Sequence, residues 1–180
     1  MSTLHVENLK GLSSGGNANK IIVPSGQTLD ASNGFTPPSG HVKQVKIGGS
    51  TAWTTTTSTT AVDALTCSIT PSATTSNVLV SLNLNGITVS QNSRCGILEL
   101  YRDTTLIRNI SGILGYSVSH LHYNTDMSCN YLDDAVSTTS QVTYTLKYKI
   151  NNASGYVGFN NFAVTNNTTS SAIMLMEIAG

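Results

Sequence analysis

Val142-Thr143-Tyr144-Thr145-Leu146-Lys147-Tyr148-Lys149-Ile150 alternates without a fault. Val142, Tyr144, Leu146, Tyr148 and Ile150 share one face, and Thr143, Thr145, Lys147 and Lys149 share the other. A period of two belongs to a strand, because successive side chains of a pleated chain project to opposite faces. One face must therefore be covered and the other wetted. Working outward, Val78, Val80, Leu82 and Leu84 alternate with Leu79, Ser81, Asn83 and Asn85, which predicts a second half-buried strand. Residues 97–101 and 106–110 flank Arg102, Asp103, Thr104 and Thr105, the pattern of a hairpin with its polar turn at Asp103 and Thr104. Near Asn160 and Asn161 the apolar phase slips from Val157 and Phe159 to Phe162 and Val164, so a bulge or tight turn belongs there.

Composition agrees with a sheet protein. Charged residues are 10% of the chain, and Ser, Thr and Asn supply roughly a third, against the roughly 25% charge of an ordinary domain. Such residues suit pleated surfaces and tight reversals, while the residues that favour helices are sparse. From residue 41 onward short strands recur with turn signals between them, which predicts an all-β, antiparallel, jelly-roll-like β-sandwich over residues 41–180.

Residues 1–40 read differently. Leu4 with Val6, Ile21 with Val23, and Leu29 are short apolar snippets separated by Gly15-Gly16, Ser25-Gly26 and Asn33-Gly34, and Pro37-Pro38-Ser39-Gly40 closes the segment. No snippet makes a core, so the segment is disordered, docked on another protein or intertwined with copies of itself, and of these an extended docking arm is the expectation. Leu4, Val6, Ile21, Val23 and Leu29 are its candidate docking residues.

The formal net charge is +0, from nine basic and nine acidic residues. No cationic field is available for a polyanion, so nucleic acid is not an expected partner. No window approaches the roughly 18 apolar residues of a membrane-spanning helix, and residues 1–10 lack the basic start and apolar run of a secretory leader. Cys67, Cys95 and Cys129 are too few and too far apart for a disulfide framework or zinc knuckle and read as small core residues.

The last strand differs from the others, because Ile173, Met174, Leu175, Met176 and Ile178 place apolar side chains on both faces. One face can meet the opposite sheet. The other would face water, which predicts a subunit contact.

Ile69-Thr70-Pro71-Ser72 through Ser76-Asn77-Val78-Leu79-Val80 resembles the TPS…SSK-ILV segment near the start of bacteriophage fibre knobs. Residues 96–102 are similar to their L-x-R-[DG] hairpin. Tyr131-Leu132-Asp133-Asp134, then Val142-Thr143-Tyr144-Thr145-Leu146-Lys147, residues 157–160 and residues 174–180, resemble the family's LD-x-P…TY-x-[VL]…N…[ML]-E-I ending, with Ala135 in place of the usual proline. The resemblance spans about residues 67–180. It implies a homotrimer, a virion location, attachment of the arm to a tail or capsid protein, and a knob facing outward to the host surface. Ile21 to Pro24, the Ser25-Gly26 turn and Thr28 to Asp30 are similar to strand-turn-strand elements of fibre shafts and leaders. The other reading of the same fold is a free carbohydrate-binding, lectin-like module, which has no need of a forty-residue coreless arm.

No catalytic constellation emerges. Gly11-Leu12-Ser13-Ser14-Gly15 satisfies G-x-S-x-G but lacks the buried strand and following helix of a nucleophile elbow. Asp133 and Asp134 are adjacent and would point to opposite faces of a strand, so they cannot flank one bond. His120 and His122, two apart, would share a face, and a trimer could gather three such pairs around one metal ion, but no third ligand is local. The expectation is therefore a non-enzyme with no cofactor and no metal. Host polysaccharide is the expected outside ligand, held by hydroxyl and amide groups around an aromatic ring, for which Trp53, Tyr116, Tyr123 and Tyr156 are the candidates.

Overall fold

The computed structural model describes residues 11, 13–16, 18, 20–28, 37–90, 94–115, 123–160 and 170–180, with the backbone alone at 94, 111–115, 123 and 124. The chain divides into two units, Met1–Thr36 and Pro37–Gly180. The sequence break at residue 40 thus falls four residues later than the structural one, and hydrogen bonds explain the difference. Gly40 N donates to Ala179 O at 2.7 Å, and Ala179 N donates to His41 O at 2.8 Å. Pro37 to Gly40 are tied to the end of the chain and belong with the sandwich.

In the first unit, Gln27 N donates to Pro24 O at 3.1 Å and Gly26 has φ 82°, which makes the expected Ser25-Gly26 reversal a turn of the kind that needs a left-handed third residue. Ile21, Ile22 and Val23 before it are exposed. The described residues of this unit form no strand.

The second unit is all β, as the alternation predicts. Its strands are β1 (Val42–Ser50), β2 (Thr54–Thr56), β3 (Val62–Ile69), β4 (Asn77–Val89), β5 (Arg94–Arg102), β6 (Thr105–Gly115), β7 (Tyr123–Asp133), β8 (Val142–Ile150), β9 (Val157–Phe159) and β10 (Ser171–Ile178). Every pairing is antiparallel. One sheet runs β3-β8-β5-β6. In the other, β7 follows one edge of the long β4, while β10 pairs with the first half of the opposite edge and β9 with its end. Beyond β10 lies β1, and beyond β9 lies β2. The eight longer strands therefore stand in the orders β1-β10-β4-β7 and β3-β8-β5-β6, the double Greek key of a jelly roll.

The core lies between these sheets. Val78, Val80, Leu82 and Leu84 of β4 and Val142, Tyr144, Leu146, Tyr148 and Ile150 of β8 are all buried, so the two alternating stretches supply facing inner surfaces. Tyr148 meets the edge of Phe159 with ring centres 4.8 Å apart. The β5–β6 hairpin turns at Asp103 and Thr104, with Asp103 at φ 52°. Asp103 N donates to Thr143 O at 2.7 Å and its carboxylate accepts from Thr143 N at 2.9 Å, which docks the turn on β8. At the predicted phase slip, β9 ends at Phe159 and Asn160 adopts φ 58°.

Candidate functional site

The register of β10 divides the five residues expected at a subunit contact. Ile173 and Leu175 point inward and are fully buried in the molecule's own core, so they are not available to a partner. Met174, Met176 and Ile178 alternate with them on the outer face and are half-buried by their neighbours in the sheet. The candidate contact set narrows to these three for a simple reason: β10 lies inside the sheet between β1 and β4, with one side to the core and one to the outside.

The outer face gathers further apolar side chains that are far apart in the chain. Val45 of β1 lies opposite Met176, Met176 opposite Leu79 of β4, and Leu79 opposite Leu132 of β7. Directly opposed residues share a face, so this is one apolar row across four strands. Beside it, Ile47 lies opposite Met174, and Val42 opposite Ile178. Ile47 is 69% exposed, and Val42, Leu132 and Val45 are each close to half exposed. Sheet faces that meet water normally carry polar residues at such positions. A contiguous apolar band of this kind is a candidate interaction surface.

The buried carboxylates are occupied by neighbouring donors. Glu177, inward on β10, accepts from Ser72 N at 2.8 Å, Ser72 Oγ at 2.7 Å, Ser76 Oγ at 2.6 Å and Gln44 Nε2 at 2.6 Å. Burial alone would raise this carboxyl, but the hydrogen bonds from Ser76, Gln44 and Ser72 outweigh it and lower its pKa to about 2. Asp133, at the end of β7, accepts two hydrogen bonds of 2.9 Å from Arg102 and one of 2.7 Å from the Tyr144 hydroxyl. Burial first, and then that bond to Asp133, push the Tyr144 hydroxyl far above the ordinary tyrosine value. Glu99 takes Lys149 at 2.5 Å and Tyr101 at 3.1 Å. Each network clamps strands together, which is what its geometry can do. The sequence shows Glu177 and Asp133 only as isolated acids, because their donors come from loops and strands up to 133 residues away.

Among the described residues no three or more His, Cys, Asp or Glu side chains gather as a metal site. His120 and His122 lie outside the described residues, as do Tyr116, Leu4, Val6 and Leu29. Ile21 and Val23 are exposed. Cys67 is buried, and burial pushes its thiol up, which suits a core residue and not a nucleophile.

The remaining aromatic candidates occupy two places. Trp53 sits in the turn between β1 and β2 and is 62% exposed. Tyr156 is half-buried before β9, where its N–H donates to Ser90 Oγ at 2.8 Å and its carbonyl accepts from Ser90 N at 2.9 Å. Thr54 pairs with Phe159 and Thr56 with Val157, so Trp53 and Tyr156 flank opposite ends of the short β2–β9 ribbon. The β7 residue Tyr123 is opposite Val89, which also pairs with Val157, and so belongs to the Tyr156 end. The structure does not bring the three rings' chain positions together.

Around Trp53 the backbone is pinned. Asn160 Nδ2 donates to Ser50 O and Ala52 O, both at 3.0 Å, and Asn160 Oδ1 accepts from Ser171 Oγ at 2.7 Å. Asn160 N donates to Asn85 O at 3.0 Å. The asparagine is buried, and its left-handed backbone, which Asn tolerates better than most residues, aims the amide into the Trp53 turn. The phase slip and the Asn at that point are the sequence signals for this residue. Its anchoring role depends on β1 and was not readable from them.

No protein-family model matches the chain, and no curated protein matches it.

Proposed function

We propose that the protein is a structural component of a bacteriophage particle, a short trimeric fibre or decoration protein on tail or capsid. In this reading the N-terminal segment docks on another virion protein and the jelly roll faces outward. The observation that carries the reading is the apolar row Val45, Met176, Leu79 and Leu132 on an outer sheet face, flanked by Ile47 and Met174. A β-sandwich that worked as a lone domain would meet water with polar residues there, whereas a homo-oligomer covers such a face with its own copies. Exposed Ile21, Ile22 and Val23 among the described residues of the leading unit support the docking role. The virion assignment draws on the resemblance of residues 67–180 to phage fibre knobs.

The second reading is a free carbohydrate-binding module, favoured by the exposed Trp53. Light scattering on a sizing column separates the two. The full chain and a chain beginning at Pro37 are both expected to elute as trimers, since the apolar face belongs to the second unit. Monomers in both cases would remove the fibre reading and leave the free module.

A further inference from the structure

Trp53 is the chain's single tryptophan, and at 62% exposure it stands where a tryptophan placed for packing would not. Its turn is held in place. Asn160 bonds the carbonyls of Ser50 and Ala52 on the N-terminal side of Trp53, and the β2–β9 ladder begins immediately after it at Thr54. That ladder is tight: a Cβ on Gly158 would lie 2.7 Å from Thr54 O and 2.8 Å from Thr55 Cγ2, so only glycine lets β2 settle there. An exposed aromatic on an ordered turn loses little freedom when a ligand stacks on it.

Among the described residues near the turn the charge is the carboxylate of Asp126, and no cation stands in the neighbouring segments. None of residues 50–62, 78–90, 155–160 or 170–176 carries a charge. The groups at this end are hydroxyls and amides, among them Ser50, Thr51, Thr54, Asn85 and Ser170. Asp126 approaches the same end of β4, and its carboxylate accepts from Gly86 N at 2.9 Å. An anionic ligand would find no cation in these segments. A pyranose has an apolar face that covers an indole and a rim of hydroxyls that exchange hydrogen bonds with neutral amides and hydroxyls.

We propose that the Trp53 turn is a binding site for neutral saccharides, with Trp53 as the stacking surface and Asn160 as the residue that positions it. The site lies on a single copy of the chain, gives the carbohydrate-binding reading above its place and rests on that reading, and stands or falls separately from the trimeric particle reading, which light scattering tests.

Because the chain has one tryptophan, its fluorescence reports this site and no other. The test titrates the full chain with lactose, maltose, cellobiose and chitobiose while following tryptophan emission and its quenching by acrylamide. At least one sugar is expected to give a saturable blue shift with protection from the quencher. Trp53→Ala should weaken binding of that sugar, measured by calorimetry, by about tenfold or more with unchanged circular dichroism, since the lost ring is exposed. Asn160→Ala should weaken it while leaving the emission of the free protein red-shifted. No saturable change with any of the four sugars up to high millimolar concentration overturns the proposal, as does a Trp53→Ala chain that binds as tightly as the parent. Emission that shifts with protein concentration and with no sugar would assign Trp53 to a contact between copies, and would also overturn it.

Discussion

Among single residues, Glu177 shows how a side chain that reads as an ordinary surface acid becomes a fixed point of the fold. Its pKa is depressed from 4.5 to about 2, so its contribution is present above the unfolded value and is lost as pH falls from about 4.5 towards 2. A shift of that size corresponds to about 3 kcal/mol. Urea unfolding of the parent should show that loss of stability across this window, and Glu177→Gln should flatten it. At neutral pH the same variant should be less stable by roughly 2–4 kcal/mol, because an amide NH2 would oppose either the Ser72 and Ser76 donors or the Gln44 Nε2, which is itself bound to Thr70 O. An acid limb identical in both proteins would refute the assignment. Arg102→Ala poses the complementary case: it strips Asp133 of its ion pair and should cost roughly 3–5 kcal/mol, more than Tyr144→Phe, which leaves that pair in place. Neither cluster was legible in the sequence, since Arg102 and Asp133 are brought together only when the two sheets close.

Elements were readable to the extent that their period was long. Val142 to Ile150 and Val78 to Asn85 declare themselves by alternation, which breaks off before the end of β4 at Val89, and the Asp103-Thr104 turn declares itself by polarity between two apolar runs. The three-residue strands β2 and β9 are too short to show a period, and Thr54, Thr55 and Thr56 have no apolar member to mark a face. What places them is Gly158 and the Asn160 amide, both acting through space. Asp103 gives a test at this scale. Its φ of 52° and its carboxylate bond to Thr143 N are both compatible with asparagine, so Asp103→Asn should stay within about 0.5 kcal/mol of the parent. Asp103→Val forces a β-branched side chain into the left-handed region and removes the bond, and should lower stability by roughly 1–3 kcal/mol in chemical denaturation. Equal stability of the two variants would mean that the turn is not held as described.

For the whole molecule, alternation predicts a sandwich, and the strand orders β1-β10-β4-β7 and β3-β8-β5-β6 make it a jelly roll. The doubly apolar last strand pointed to an interface and named Met174, Met176 and Ile178, but equally Ile173 and Leu175, because a sequence does not say which face meets the core. Val45, Ile47, Leu79 and Leu132 were not among the expected contact residues. Val45 and Ile47 share β1, Leu79 and Leu132 stand among polar neighbours on the outer faces of β4 and β7, and only the register across the sheet joins them. If this face is the contact between copies, a charge at its centre must break the assembly without harming the fold. The decisive measurement is the solution mass, by light scattering, of the full chain beside Met176→Asp, with circular dichroism confirming that both are folded. The parent should weigh three times 19.0 kDa and the variant 19.0 kDa. The same mass for both folded proteins, whether trimer or monomer, would contradict the account.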